Sequence, residues 1–178
     1  QHGGWGLGVT HYLERKGEDG KFTIYYRDPA SSSSTLRGSI DYSKEIDEFT
    51  DLNLNLDYSG TLGESDDNYS GFLSVLREKD KSTNKLNLSY SANESSDTEN
   101  LYATWSYQYK LRDDLTGELN LNYKNYEQRG EFTDQDLAYG VNFKKTSDRY
   151  TYYLRYSGHT DLEGDSYTGD SNKVVFKI

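Results

Sequence analysis

Apolar and polar residues alternate along most of this chain with a period of two. Leu52, Leu54, Leu56 and Tyr58 are separated by Asn53, Asn55 and Asp57. Successive side chains of a strand point to opposite faces, so this run has one apolar face and one polar face. The same pattern recurs in Leu86, Leu88 and Tyr90, in Leu119, Leu121 and Tyr123, in Leu137, Tyr139, Val141 and Phe143, and in Ala103 through Leu111. Fainter copies lie at Trp5, Leu7, Val9 and His11, at Phe22, Ile24 and Tyr26, at Ile40 and Tyr42, at Tyr150 through Tyr156, and at Val174, Phe176 and Ile178. In Phe72–Leu76 the alternation leaves both faces partly apolar. No helix of useful length is visible.

Turn-forming residues punctuate the runs. They lie at Gly17–Gly20, Ser31–Ser34, Glu64–Asn68, Asn93–Asn100 and Asp161–Asn172, and shorter breaks lie at Lys44–Thr50, Lys79–Asn84, Arg112–Thr116 and Lys145–Arg149. Short and long connections alternate. The pattern predicts an all-β fold, an antiparallel up-and-down meander of about ten to twelve long strands, as one domain over residues 1–178 or as part of a larger barrel.

Strand length separates two settings for such a sheet. Soluble strands usually run about five or six residues. Runs of about nine to twelve residues, tilted by about 40°, match the apolar band of a transmembrane barrel. The expectation is therefore a transmembrane β-barrel, with its apolar side chains toward lipid and its polar side chains toward the lumen. The alternative is a soluble or surface-exposed antiparallel sheet, secreted or at the cell surface, binding through Tyr-rich patches.

Composition sharpens this picture. Only 34 of 178 residues are Leu, Ile, Val or Phe, and the net charge is −10. Those values alone point to disorder. Eighteen tyrosines and a single proline oppose that. The acidic balance argues against nucleic acid as a partner, and membrane lipid is the partner expected instead. There is no cysteine, hence no disulfide or thiolate site. There is no methionine either, so the sequence is expected to be a mature or partial form.

Candidate chemistry follows from the faces. Arg27, Asp41, Asp57, Lys85, Glu118, Lys124 and Arg155 fall on polar faces and would tune what passes through a lumen. Trp5, Tyr12, Tyr58, Tyr90, Trp105, Tyr109, Tyr123 and Tyr156 are the expected aromatic girdle, because amphipathic rings collect at membrane interfaces. Gly3, Gly4, Gly6 and Gly8 suggest a bent or bulged first strand. Asp161, Glu163, Asp165 and Asp170 are spaced like calcium ligands, but a solvated acidic loop accounts for them. His2, His11 and His159 are scattered. No catalytic residue, metal site or cofactor is expected, and the chain is read as non-enzymatic.

Four stretches carry a family likeness. They are WGLGVTHYL at Trp5–Leu13, KFTIYYRD at Lys21–Asp28, RGSIDY at Arg37–Tyr42 and LNLNLDY at Leu52–Tyr58. Their cadence resembles barrel strands of the lipopolysaccharide-assembly outer-membrane protein family (LptD/OstA type), mainly over residues 4–60. The resemblance implies a place in the bacterial outer membrane, transport or envelope assembly through a polar lumen, and lipopolysaccharide and a partner lipoprotein as partners. The family's periplasmic domain has no counterpart here, and the strands are too few for its whole barrel.

Overall fold

A computed structural model describes residues 4–29, 32–128, 131–164 and 171–178. Eleven strands account for nearly all of them: β1 (Trp5–Arg15), β2 (Glu18–Asp28), β3 (Thr35–Asp47), β4 (Thr50–Thr61), β5 (Asn68–Lys79), β6 (Ser82–Asn93), β7 (Thr98–Arg112), β8 (Leu115–Gln128), β9 (Glu131–Thr146), β10 (Thr151–Gly164) and β11 (Ser171–Lys177). They form one sheet in strict sequence order, every neighbouring pair antiparallel. The up-and-down meander read from the sequence is thus present, as a single sheet. The sheet is not closed, since β1 and β11 are its two edges. Eleven is odd, so the two edges run in the same direction.

One end of the sheet carries tight turns, at residues 16–17, 48–49, 80–81, 113–114 and 147–150. The other carries the connections 62–67 and 94–97, together with the end of β2 and start of β3, the end of β8 and start of β9, and the end of β10 and start of β11. These are called the turn end and the loop end below. Gly17 has φ +70°, which the two-residue turn between β1 and β2 requires and which glycine adopts without strain.

Several expected turns prove shorter than their composition suggested. Glu18, Asp19 and Gly20 belong to β2, Thr98 through Asn100 to β7, and Asp161 through Gly164 to β10. The cause is the backbone. Once a hairpin is in register, each further pair of peptide groups adds ladder hydrogen bonds whatever its side chains are. Part of the Ser31–Ser34 loop and half of the acidic Asp161–Asn172 loop, including Asp165 and Asp170, lie outside the described residues, as do His2 and Gly3.

The expected bulge in β1 is absent. Trp5 to Arg15 pair with Asp28 to Glu18 without a register shift. The glycines serve a different purpose. A Cβ on Gly6 would stand 2.7 Å from the Tyr25 hydroxyl, and one on Gly8 would stand 3.0 Å from its ring. Both leave room for a tyrosine from β2 to lie across the edge strand.

The sheet has no core of its own. Among the described residues no hydrophobic side chain is buried. Leu7, Val9, Ile24, Val174 and Phe176 are each more than 60% exposed.

Candidate functional site

Register sorts the side chains into two continuous surfaces, because directly paired residues share a face. One surface begins with Leu7, Val9 and Leu13 and continues through Phe22, Ile40, Leu54, Leu73, Leu88, Trp105, Leu121, Val141, Leu154 and Phe176. It is apolar on all eleven strands. The opposite surface is built mainly from Ser, Thr, Asn and charged residues, with scattered apolar and tyrosine side chains among them. Phe72–Leu76 is resolved by the same pairing. Leu73 and Val75 face Leu54 and Leu52 on the apolar side, while Phe72 and Leu76 face Asn55 and Asp51 on the polar side.

All seven charges singled out in the sequence, Arg27, Asp41, Asp57, Lys85, Glu118, Lys124 and Arg155, stand on the polar surface. They do not form one ring. Glu118 and Arg155 come together through Asn142, whose side chain accepts from Arg155 Nε at 2.8 Å and donates to Glu118 Oε2 at 3.3 Å. Asp41 and Lys124 lie in one cross-strand row, five strands apart, and the other three occupy separate rows.

Seven of the eight aromatics share the apolar surface. Trp5, Tyr58, Tyr90, Tyr123 and Tyr156 each close their apolar stripe on its loop side. Tyr109 lies toward the turn end, stacked in series with Tyr107 and the mid-strand Trp105 at centroid spacings of 6.4 Å. Tyr12 is the exception. It pairs with Lys21 and therefore belongs to the polar surface. Two further tyrosines join the loop-side row, Tyr26 from the apolar stripe of β2 and Tyr69, which was missed in the sequence. Tyr26 packs 5.2 Å from Trp5, and Tyr69 packs 5.3 Å from Tyr58. The hydroxyls of Tyr58 and Tyr69 both donate to the Asp67 carboxylate, at 3.1 Å each. Each ring thus keeps an apolar body on the sheet and a polar tip in the loop layer.

The apolar band does not follow the hydrogen-bond rows. Its centre is Val9 on β1, and the row through Val9 reaches β6 at Ala92. Its centre on β11 is Phe176, and that row reaches β6 at Ser82. The band therefore drifts ten residues over ten strand steps, about one residue per strand. With a rise of about 3.3 Å per residue and a strand spacing of about 4.8 Å, a level band needs strands tilted by about 35°. Barrel strands tilt by about 35–45°.

A second acidic group was not anticipated. Asp134 and Asp136 on β9 and Asp161 on β10 bring carboxylate oxygens within 4.8 Å of one another. The sequence singled out Asp161 with Glu163, but a register shift follows Asp161 and its neighbour across the pair is Asp136. Lys124 donates to Asp134, and His159 Nε2 stands 3.3 Å from Asp136 Oδ1. The alternation Asp134, Asp136 was the available signal, and only the β9–β10 pairing supplies the third member. Oxygens at this spacing suit a hard cation such as calcium, yet Lys124 already supplies a positive charge. His11 lies apart, on the apolar surface beside Phe22.

Comparison with protein-family models, with curated proteins and with solved structures gives no match. The likeness to the lipopolysaccharide-assembly family therefore stands on residues 4–60 of this sequence alone.

Proposed function

We propose that this chain is a membrane-spanning β-barrel wall whose polar surface lines a water-filled path, in the bacterial outer membrane and in the service of transport. The observation that carries the proposal is the slanted apolar band. A band that drifts one residue per strand is level only when the strands are tilted as in a barrel, and a level apolar band is what a bilayer requires. The missing core supports the same reading. Eleven strands of apolar side chains find no cover within the described chain, and lipid supplies one over the whole surface. Strands of eleven to sixteen residues, β11 excepted, reach or exceed the nine to eleven or so that cross a bilayer at a tilt. Envelope assembly, with lipopolysaccharide as cargo and a lipoprotein as partner, is the specific form of transport that the residue 4–60 resemblance implies.

The test is folding. The purified chain is expected to form its sheet only with detergent or lipid, to migrate differently on gels before and after boiling, and to conduct ions when reconstituted in planar bilayers. A monomer that folds in plain buffer and stays soluble overturns the proposal.

A further inference from the structure

The polar surface of β8–β11 is split by charge. Toward the loop end it carries the Asp134, Asp136 and Asp161 group, offset by Lys124 and His159. Toward the turn end a hollow of about 530 Å³ is lined by Lys144, Arg155, Lys173 and Lys177, with Glu118 as its one carboxylate. Three cross-strand rows assemble it: Gly140–Ser157–Lys173, Asn142–Arg155–Val175 and Lys144–Tyr153–Lys177. A chain of net charge −10 thus concentrates a local excess of three positive charges in one concavity.

Some cations elsewhere on this surface have acidic company, whereas Arg27, Arg37 and Lys85 stand singly and in no ion pair among the described residues. Lys21 lies opposite Asp41, Lys110 pairs with Asp113, and Lys124 pairs with Asp134. Among the described residues, none of the four cations in the hollow is in an ion pair. Their groups are nonetheless arranged. Arg155 is held through Nε by Asn142 at 2.8 Å, and Lys144 Nζ lies 5.9 Å above the Tyr153 ring. Four like charges gathered in a concavity repel one another, and a multiply charged anion relieves that repulsion. Arginine's planar fork and the three protons of each ammonium match tetrahedral oxyanions.

We infer that the hollow between β9, β10 and β11 is a binding site for phosphate-class oxyanions, borne by a free solute or by a lipid headgroup. Either source would present the same dianionic oxygens to Lys144, Arg155, Lys173 and Lys177. Anion binding here does not depend on the chain spanning a bilayer, so it extends the proposal above without resting on it.

The experiment is calorimetric titration of the folded chain with inorganic pyrophosphate, and in a separate arm with short-chain phosphatidic acid below its micelle concentration. Saturable binding is expected, weakened about tenfold or more by Lys173→Gln with Lys177→Gln and unaffected by Lys16→Gln, in the turn between β1 and β2. Arg155→Gln and Lys144→Gln, on interior strands, provide a second pair should the edge-strand variant fold poorly. Binding of pyrophosphate alone assigns the site to a free solute, and binding of the lipid alone assigns it to a headgroup. No saturable binding in either arm overturns the inference, as does equal affinity in the wild type and every folded variant. No binding by a wild-type chain that still folds only with detergent or lipid sinks this site alone, whereas folding in plain buffer with binding retained sinks only the barrel.

Discussion

At the scale of single residues, much is decided by which side chain lies over which. Gly158 pairs with Tyr139, whose ring occupies the space a side chain would need. Gly158→Val is expected to destabilise the folded sheet by about 1–3 kcal/mol, as overpacking does. Adding Tyr139→Ala is expected to restore part of that loss, and denaturant unfolding of the single and double variants checks it. Asp66 gives a pH prediction. The backbone N–H of Thr61 donates to Asp66 Oδ1 at 2.7 Å and the Thr61 hydroxyl to Oδ2 at 2.6 Å, and these bonds hold the carboxyl below its usual 3.8. A depressed carboxyl stabilises the folded form fully above its unfolded value and less as pH falls through the folded one. Ordering of the 62–67 connection is therefore expected to persist above about pH 4 and to fade below it. Amide exchange at Thr61 measures this, and Asp66→Asn should remove the dependence. Neither effect was legible in the sequence. Gly158 stands nineteen positions from its partner Tyr139, and the five-residue link from Thr61 to Asp66 depends on a loop conformation that composition does not specify.

At the scale of strands, the alternation was legible and the boundaries were not. Leu52–Tyr58 and Leu119–Tyr123 announce their apolar faces because burial, or contact with lipid, acts on side chains. Asp19 and Glu99 sit inside strands for a reason carried by the backbone, so residue type is a poor guide there. The site followed the same division. The seven polar-face charges were readable from parity along each strand. The hollow at Lys144, Arg155, Lys173 and Lys177 was not, because it needs the register of three strands at once. Parity also yields a sharp comparison. Leu54, near the middle of β4 on the apolar surface, and Asn53, beside it on the polar surface, are expected to tolerate arginine very differently. Leu54→Arg should cost about 2–4 kcal/mol if lipid covers that surface, and Asn53→Arg much less. Refolding titrations into detergent or lipid vesicles read the difference, and equal costs would count against lipid on the Leu54 side.

At the scale of the whole sheet, low hydrophobicity ceases to be a puzzle. A chain with 34 large aliphatic and phenylalanine residues cannot fill an interior, but it can coat one surface, and tyrosine extends that coat at the loop side. What the sequence could not convey was the slant of the coat, since a drift of one residue per strand appears only when eleven registers are chained together. The odd strand number carries a further consequence. Because β1 and β11 are co-directional, Gly4 lies at the loop end and Ile178 at the turn end. A sheet that divides two compartments would then present one of these residues to each, whereas an even-stranded meander would leave both on one side. The absence of native cysteine makes this directly measurable. In sealed vesicles, Gly4→Cys and Ile178→Cys should react with an impermeant maleimide in complementary fashion, one before lysis and the other only after it. Complementary labelling would tie the sidedness of a membrane-spanning sheet to the parity of its strand count.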